Sequence, residues 1–216
     1  QTDKPFAAVL YSHFHYVNGT TAIFDDAKRT LPVWGHSRIA TNRVRTSSAI
    51  APTYTRGIIE QFGTSLPSDG PDGLVGVGLG RSFKNAAHAP HTAGYVHADT
   101  TFDTPCRIRV AGLDVDVMPA PSDADDSVTF SFPALDLAVN NLVWPVLFNV
   151  FAIRGEEYRD PTVLLTGLDH LLGLQVEHLV GAHGIPISGR DAIARRVGRY
   201  RDAIQFLWDQ TVRHTN

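Results

Sequence analysis

The apolar and polar positions along the chain predict alternating strands and helices. An unbroken apolar run over residues 6–11 (Phe-Ala-Ala-Val-Leu-Tyr) reads as a short buried strand. It delivers His13 and His15 before a turn at Gly19. In extended backbone, residues i and i+2 share a face, so the two imidazoles converge on one point. The bland counterpart is a pair of hydrogen-bonded histidines in a loop. Residues 20–30 have helical spacing, with Ala22, Ile23, Phe24 and Ala27 apolar and Asp25 and Asp26 exposed. Residues 31–35 read as the next strand. Residues 38–62 are mostly helical, interrupted near Pro52, with Ile58, Ile59 and Phe62 on one face and Gly63 as C-cap.

Residues 64–104 are rich in glycine and proline, as in a functional or ligand-covering loop. The glycines at 76, 78 and 80 lack the lysine of a phosphate loop and no helical pattern follows, so they read as turn glycines. His88, His91 and His97 share no ligand spacing and read as solvated. Residues 106–117 alternate through Ile108, Val110, Leu113, Val115 and Val117 around Ala111-Gly112, predicting a hairpin. Residues 118–126 form a Pro/Asp-rich loop, 128–132 a strand, and 135–153 a mainly apolar run ending in a strand over 147–153. A helix over 162–172, a strand over 176–181 and a turn at His183-Gly184-Ile185-Pro186 follow. Ser188, with Asp191 three residues on, resembles a capping box. The last helix carries Ile193, Val197, Tyr200, Ile204, Leu207 and Val212 at near-helical spacing.

Composition narrows the function. With 43% hydrophobic and 19% charged residues, the chain has an ordinary globular composition. A net charge of −3 and no basic run argue against nucleic acid. No apolar stretch reaches membrane-spanning length, because Pro145 and Asn149 break the longest candidate. Cys106 is alone, which removes an internal disulfide and any cysteine-built zinc site and leaves it as a core filler. The N-terminus lacks a signal-peptide layout, and these features fit the cytoplasm.

The C-terminal third carries a resemblance. The stretches 183–189 (His-Gly-Ile-Pro-Ile-Ser-Gly) and 200–213, with Arg154-Gly155, Arg159-Asp160 and the Gly78-Leu79-Gly80 turn, are similar to the alkylsulfatases of the metallo-β-lactamase superfamily. The resemblance implies an α/β fold, the αββα metallo-β-lactamase-like sandwich, with a metal site at the strand ends. It also implies that residues 1–216 supply only part of that domain. The N-terminal half of the sandwich and the dimerisation region would come from outside this chain, as a second polypeptide or another copy. Relatives use a binuclear zinc centre against the sulfate ester of a fatty alcohol.

The departures from the family pattern fall on the chemistry. Its His-x-His-x-Asp-His motif maps onto His13, His15, Val17 and Asn18, and two family glutamates fall near Ser122 and Asn141. Val17 has no ligand atom and Asn18 only a neutral amide oxygen. His13, His15 and His183 remain, with Asp123 next to a lost glutamate. The expected metal ligands are therefore His13, His15, His183 and Asp123, for one zinc ion at most. His13, His15 and His183 are the expected catalytic groups, with Arg56, Trp144 and Phe148 contacting substrate. The expected function is hydrolysis of an ester of an apolar alcohol. Two alternatives stand beside it: a metal-free lyase, isomerase or hydrolase using histidine acid–base chemistry, and a non-catalytic subunit completing a partner's fold.

Overall fold

The computed structural model describes residues 3–27, 30–67, 69–74, 90, 92–147, 150 and 158–215. In chain order the elements are β1 (Val9–Leu10), α1 (Thr20–Ala27), β2 (Val33–His36), α2 (Ile39–Ser47) and α3 (Ala51–Phe62). Then come β3 (Thr100–Phe102), β4 (Cys106–Val110), β5 (Leu113–Pro119), β6 (Val128–Phe132) and β7 (Leu137–Asn140). Last are α4 (Pro161–Gly173), β8 (His178–Gly181), β9 (Ile187–Ser188) and α5 (Arg190–Thr215).

The strands make two sheets. β1, β2 and β3 pair in parallel, with Val9 opposite Val33 and Trp34 opposite Thr100. The larger sheet runs β4-β5-β6-β7-β8-β9, antiparallel except for the parallel β7–β8 pair. The β4–β5 turn has Ala111 at φ 50° and Gly112 at φ 83°, the doubly positive geometry that matches a hairpin's twist.

Three apolar clusters set the layer order. Leu10, Trp34 and Phe102 from the small sheet meet Ile108, Val115, Val117, Val128 and Phe130 from the large one. Val33, Tyr11 and Phe14 pack with Ile39 of α2 and Phe24 of α1 on the outer side of the small sheet. Ala138 and Leu179 of the large sheet pack under Leu164, Leu168 and Leu171 of α4 and Ile193, Val197 and Ile204 of α5. Helix, sheet, sheet, helix is the αββα order. Burial of each α4 leucine contributes about 1.5–3 kcal/mol over exposure. Asp160 caps α4 by accepting from the Thr162 amide at 2.8 Å, ahead of Pro161 in the first turn. Gly63 ends α3 in the left-handed region at φ 59°, as its position predicts.

Several predicted elements are corrected. The strand expected over 6–11 is only β1, because its ladder to β2 covers Val9 and Leu10 alone, and Phe6 is 43% exposed. The helical stretch 38–62 divides into α2 and α3 around residues 48–50, and Pro52 lies in the first turn of α3 instead of interrupting a helix. Ser188 is no N-cap: it closes β9 with its hydroxyl 3.0 Å from His178 Nδ1, and Gly189, at φ 98°, precedes the helix. The expected strand over 147–153 lies mostly outside the described residues, as do Phe148, Arg154, the 76–80 glycines, His88 and His91. No helix among the described residues is long and apolar enough to cross a membrane.

Candidate metal and catalytic site

The site gathers where β1, β6, β7 and β8 end or begin. Val128, first residue of β6, donates its amide to the Ser12 carbonyl at 3.0 Å, which brings the 120–127 loop against the histidine turn. At the end of β7, Asn140 Oδ1 accepts from the amides of Leu142 and Val143, both at 2.9 Å, and this closes the turn that carries Asn141. β8 delivers His183 through a tight turn at Gly181, where a Cβ would stand 2.5 Å from the His183 carbonyl oxygen.

His13 and His15 do meet, though not by strand alternation. His13 is extended (φ −174°), and residues Phe14–Tyr16 form a 3-10 turn. The turn sets the two rings edge to face, with centroids 5.2 Å apart. His13 is fully buried, Ser12 Oγ lies 2.9 Å from its Nδ1, and its Nε2 has no hydrogen-bond partner among the described residues. His15 Nδ1 lies 3.1 Å from Asp123 Oδ2, and His13 Nε2 lies 3.7 Å from the same oxygen. One ligand atom each from His13, His15 and Asp123 all fall within 4.8 Å of one another.

Electrostatics follow from this packing. Burial lowers the His13 pKa to about 4, against the raising pull of Asp123, so the ring is neutral at neutral pH and one of its nitrogens keeps a lone pair. Burial pushes the Asp123 carboxyl up, but the His15 hydrogen bond, the two neighbouring imidazoles and the Asn141 amide together hold it well below the usual range. Asp126, also fully buried, is pushed up to about 6 chiefly by burial; its Oδ1 accepts from the Phe14 amide at 3.4 Å, between the two histidines.

His183 faces the same cluster from the other side. Its ring centroid is 6.3 Å from that of His13, outside the tight group of three. Burial lowers its pKa, and its Nε2 is buried without a hydrogen-bond partner among the described residues. Trp144 stacks on the ring at 3.9 Å. Behind them lies a cavity of about 410 Å³ bordered by Val143, Trp144, Pro145, Ile185 and Ile187. A second cavity of about 220 Å³ lies along the 121–125 loop, and Arg159, one of its lining residues, donates Nε to the Asp123 carbonyl at 3.1 Å. Arg56 stands exposed on α3 and lines neither cavity. His97 is exposed beside Tyr95.

The residues at the lost ligand positions are occupied elsewhere. Val17 is 1% exposed within the cluster of Tyr11, Phe14, Val33 and Ile39, and Asn18 Oδ1 accepts from Arg43. Asn141 Nδ2 contacts Asp123 Oδ1 at 2.5 Å and the hydroxyls of Ser122 and Ser127 at 3.1 Å. Two imidazoles and one carboxylate fit a single divalent ion, whose nitrogen and oxygen ligands sit about 2.0–2.2 Å from zinc. They do not supply a second. Sequence reasoning missed Asp126 and Tyr16; the first carries a signal in the acid run Asp123-Ala124-Asp125-Asp126 set directly before a strand.

No protein-family model matches the chain. It is 31% identical over 222 residues to a linear primary-alkylsulfatase from Pseudomonas sp., covering all of this chain and 41% of that protein. The chain thus spans about two fifths of the relative's length. A stereoselective inverting sec-alkylsulfatase from Pseudomonas sp. superposes with TM-score 0.83 at 21% identity, over all of this chain and 35% of that one. A metallo-beta-lactamase family protein from Thermus thermophilus gives TM-score 0.60 at 15% identity, over 93% and 61%. Sequence and fold agree: the chain is similar to part of the alkylsulfatases and has the metallo-β-lactamase fold.

Proposed function

We propose that this chain carries a hydrolytic site of the alkylsulfatase type, acting on an ester of an apolar alcohol with one divalent metal. The observation that supports it is the convergence of His13, His15 and Asp123 within 4.8 Å, with His13 Nε2 buried and unpartnered among the described residues. These three residues would hold the ion, and zinc suits two imidazoles and a carboxylate. When bound, the metal supplies Lewis acidity and positive charge for hydrolytic attack. The chain's own residues do the rest. Asp123 brings one negative charge, fixed by Asn141 and aligned with both histidines. His183 borders the apolar cavity, and Trp144 with Ile185 and Ile187 offers a wall for an alkyl tail. A second reading, metal-free acid–base catalysis, is supported by the His15–Asp123 hydrogen bond, which orients an imidazole as a general base requires.

Elemental analysis together with turnover of dodecyl sulfate tests this reading. One metal per chain, and a loss of about a hundredfold or more for His15→Ala, are expected. Two metals would overturn the single-ion site; none, with turnover intact, moves the weight to the acid–base reading. The second polypeptide expected from the sequence also stands as a proposal. It is supported by Phe206, Leu207 and Val212 of α5, which are 67%, 42% and 37% exposed. Sedimentation as a stable monomer without a companion chain would refute it.

A further inference from the structure

The two nitrogens of the His183 ring stand in unlike surroundings. Tyr16 Oη lies 3.2 Å from Nδ1, and the two rings meet edge to face at 5.2 Å. Nε2 is buried without a partner among the described residues. Trp144 lies on the ring at 3.9 Å with the planes inclined by 31°, so the imidazole has little freedom to turn. A carbonyl-rich backbone holds the Trp in turn: Arg196 donates to the carbonyls of Trp144 and Pro145 at 2.8 and 2.7 Å.

A neutral imidazole carries one proton, and the partner at Nδ1 decides where it sits. If Tyr16 donates, the proton is on Nε2 and that nitrogen is a donor. If Tyr16 accepts, Nε2 keeps its lone pair and can bind a metal. An imidazole nitrogen is a much stronger acceptor than a phenol oxygen, and a phenol is a good donor, so the O–H···Nδ1 arrangement is favoured. His183 also stands apart from the tight group that a metal would join. We propose that Tyr16 is a positioning residue that fixes His183 with its proton on Nε2, so that His183 donates a hydrogen bond to an oxygen of an anionic ester head group and does not ligate metal.

The inference rests on the single-metal hydrolytic reading but uses a different contact. It gives His183 a task that a single ion at His13, His15 and Asp123 leaves open. A buried donor without an acceptor is an uncommon and costly arrangement that a bound oxyanion relieves. The apolar cavity bordered by Trp144 and Ile187 adjoins the same ring, which separates a charged head from an alkyl tail.

Imidazole ¹⁵N–¹H NMR on ¹⁵N-histidine-labelled protein, with and without zinc, reads the tautomer directly. The expected result is a His183 proton on Nε2 in both states, with the preference lost in Tyr16→Phe. Inorganic sulfate is the binding probe on the zinc-loaded protein. His183→Gln, whose amide nitrogen can replace Nε2–H, should retain binding within about threefold, and His183→Leu should lose about tenfold or more, as for a hydrogen bond to a charged group. A proton on Nδ1, a His183 Nε2 signal that shifts as a ligand on zinc addition, or unchanged sulfate binding by His183→Leu would each overturn the proposal. Failure of zinc to bind at all would sink the metal reading while leaving the tautomer measurement to stand or fall separately.

Discussion

Asn141 Nδ2 lies 2.5 Å from Asp123 Oδ1, so the carboxylate that touches both His13 and His15 is held by an amide at a position where the family resemblance places a glutamate. The neutral amide acts as a brace for the carboxylate. Ser122, the other such position, joins the same network through Asn141 and Ser127. The carboxylate of Asp123 beside the two histidines thus has its orientation set by neutral neighbours.

Asn141→Leu should therefore weaken zinc binding by about 10- to 100-fold, the usual cost of losing a group that orients a ligand. It should also lower stability by about 1–3 kcal/mol, since it leaves buried polar atoms of Ser122 and Ser127 short of a partner. Competition against a chromogenic chelator measures the first effect and urea unfolding the second. An unchanged zinc affinity would mean that Asp123 needs no brace.

Restoring the lost acid at Val17 should not restore a second metal. Val17 is 1% exposed among Tyr11, Phe14, Val33 and Ile39, and an aspartate there buries a charge in an apolar cluster. Val17→Asp should cost several kcal/mol and leave zinc stoichiometry no higher than one. Two zinc ions bound to a folded Val17→Asp, Asn18→His variant would show that the turn can rearrange.

Much of the fold was legible because its signals are local. The alternation through Ile108, Val115 and Val117 gave the hairpin, Gly63 gave a helix end, and the α5 stripe placed Ile193, Val197 and Ile204 in the core. What failed depends on distant partners. Residues 6–8 look like a buried strand, yet only Val9 and Leu10 find a neighbour in β2. The convergence of His13 and His15 was anticipated, but a 3-10 turn produces it. Asp126 lies in the Pro/Asp-rich loop over 118–126; its burial and its hydrogen bond from the Phe14 amide follow from the long-range contact between Val128 and Ser12.

The large-sheet core should be sensitive to a single cavity on α4. Leu168 is fully buried among α4, α5 and the sheet. Leu168→Ala should cost about 2–5 kcal/mol, the range for a leucine truncated in a well-packed core. Val163, 39% exposed on the same helix, should tolerate alanine with a loss below about 1 kcal/mol. Equal losses at the two positions in denaturant unfolding would contradict the assigned helix face.

With metal removed by a chelator, two buried groups at the site should oppose each other as pH changes. His13 is lowered from 6.5 to about 4, mainly by burial. Between those values the unfolded chain binds a proton that the folded chain refuses, so this contribution to stability is present above 6.5 and lost as pH falls toward 4. Asp126 is raised from 3.8 to about 6, again mainly by burial. There the folded chain keeps a proton that the unfolded chain has released, so its contribution is present below 3.8 and lost as pH rises through 6. Each shift corresponds to about 3 kcal/mol, at about 1.4 kcal/mol per unit, and the two slopes nearly cancel over the shared window. Because burial also lowers the pKa of His36, His170 and His183, which adds slope in the His13 direction, Tm should rise gently with pH up to about 6.5 and drop below 4 as Asp123, held low by His15 and Asn141, is finally protonated. Asp126→Asn removes one slope and should make Tm rise with pH from about 4 to 6.5. His13→Gln removes the other and should make the rise of Tm with pH over about 4 to 6 shallower than in the parent, or reverse it. Thermal melts of the three proteins at half-unit pH intervals separate these curves, at about 2–4 °C per kcal/mol for a chain of this size. Parallel profiles for all three would show that neither buried group governs the pH dependence.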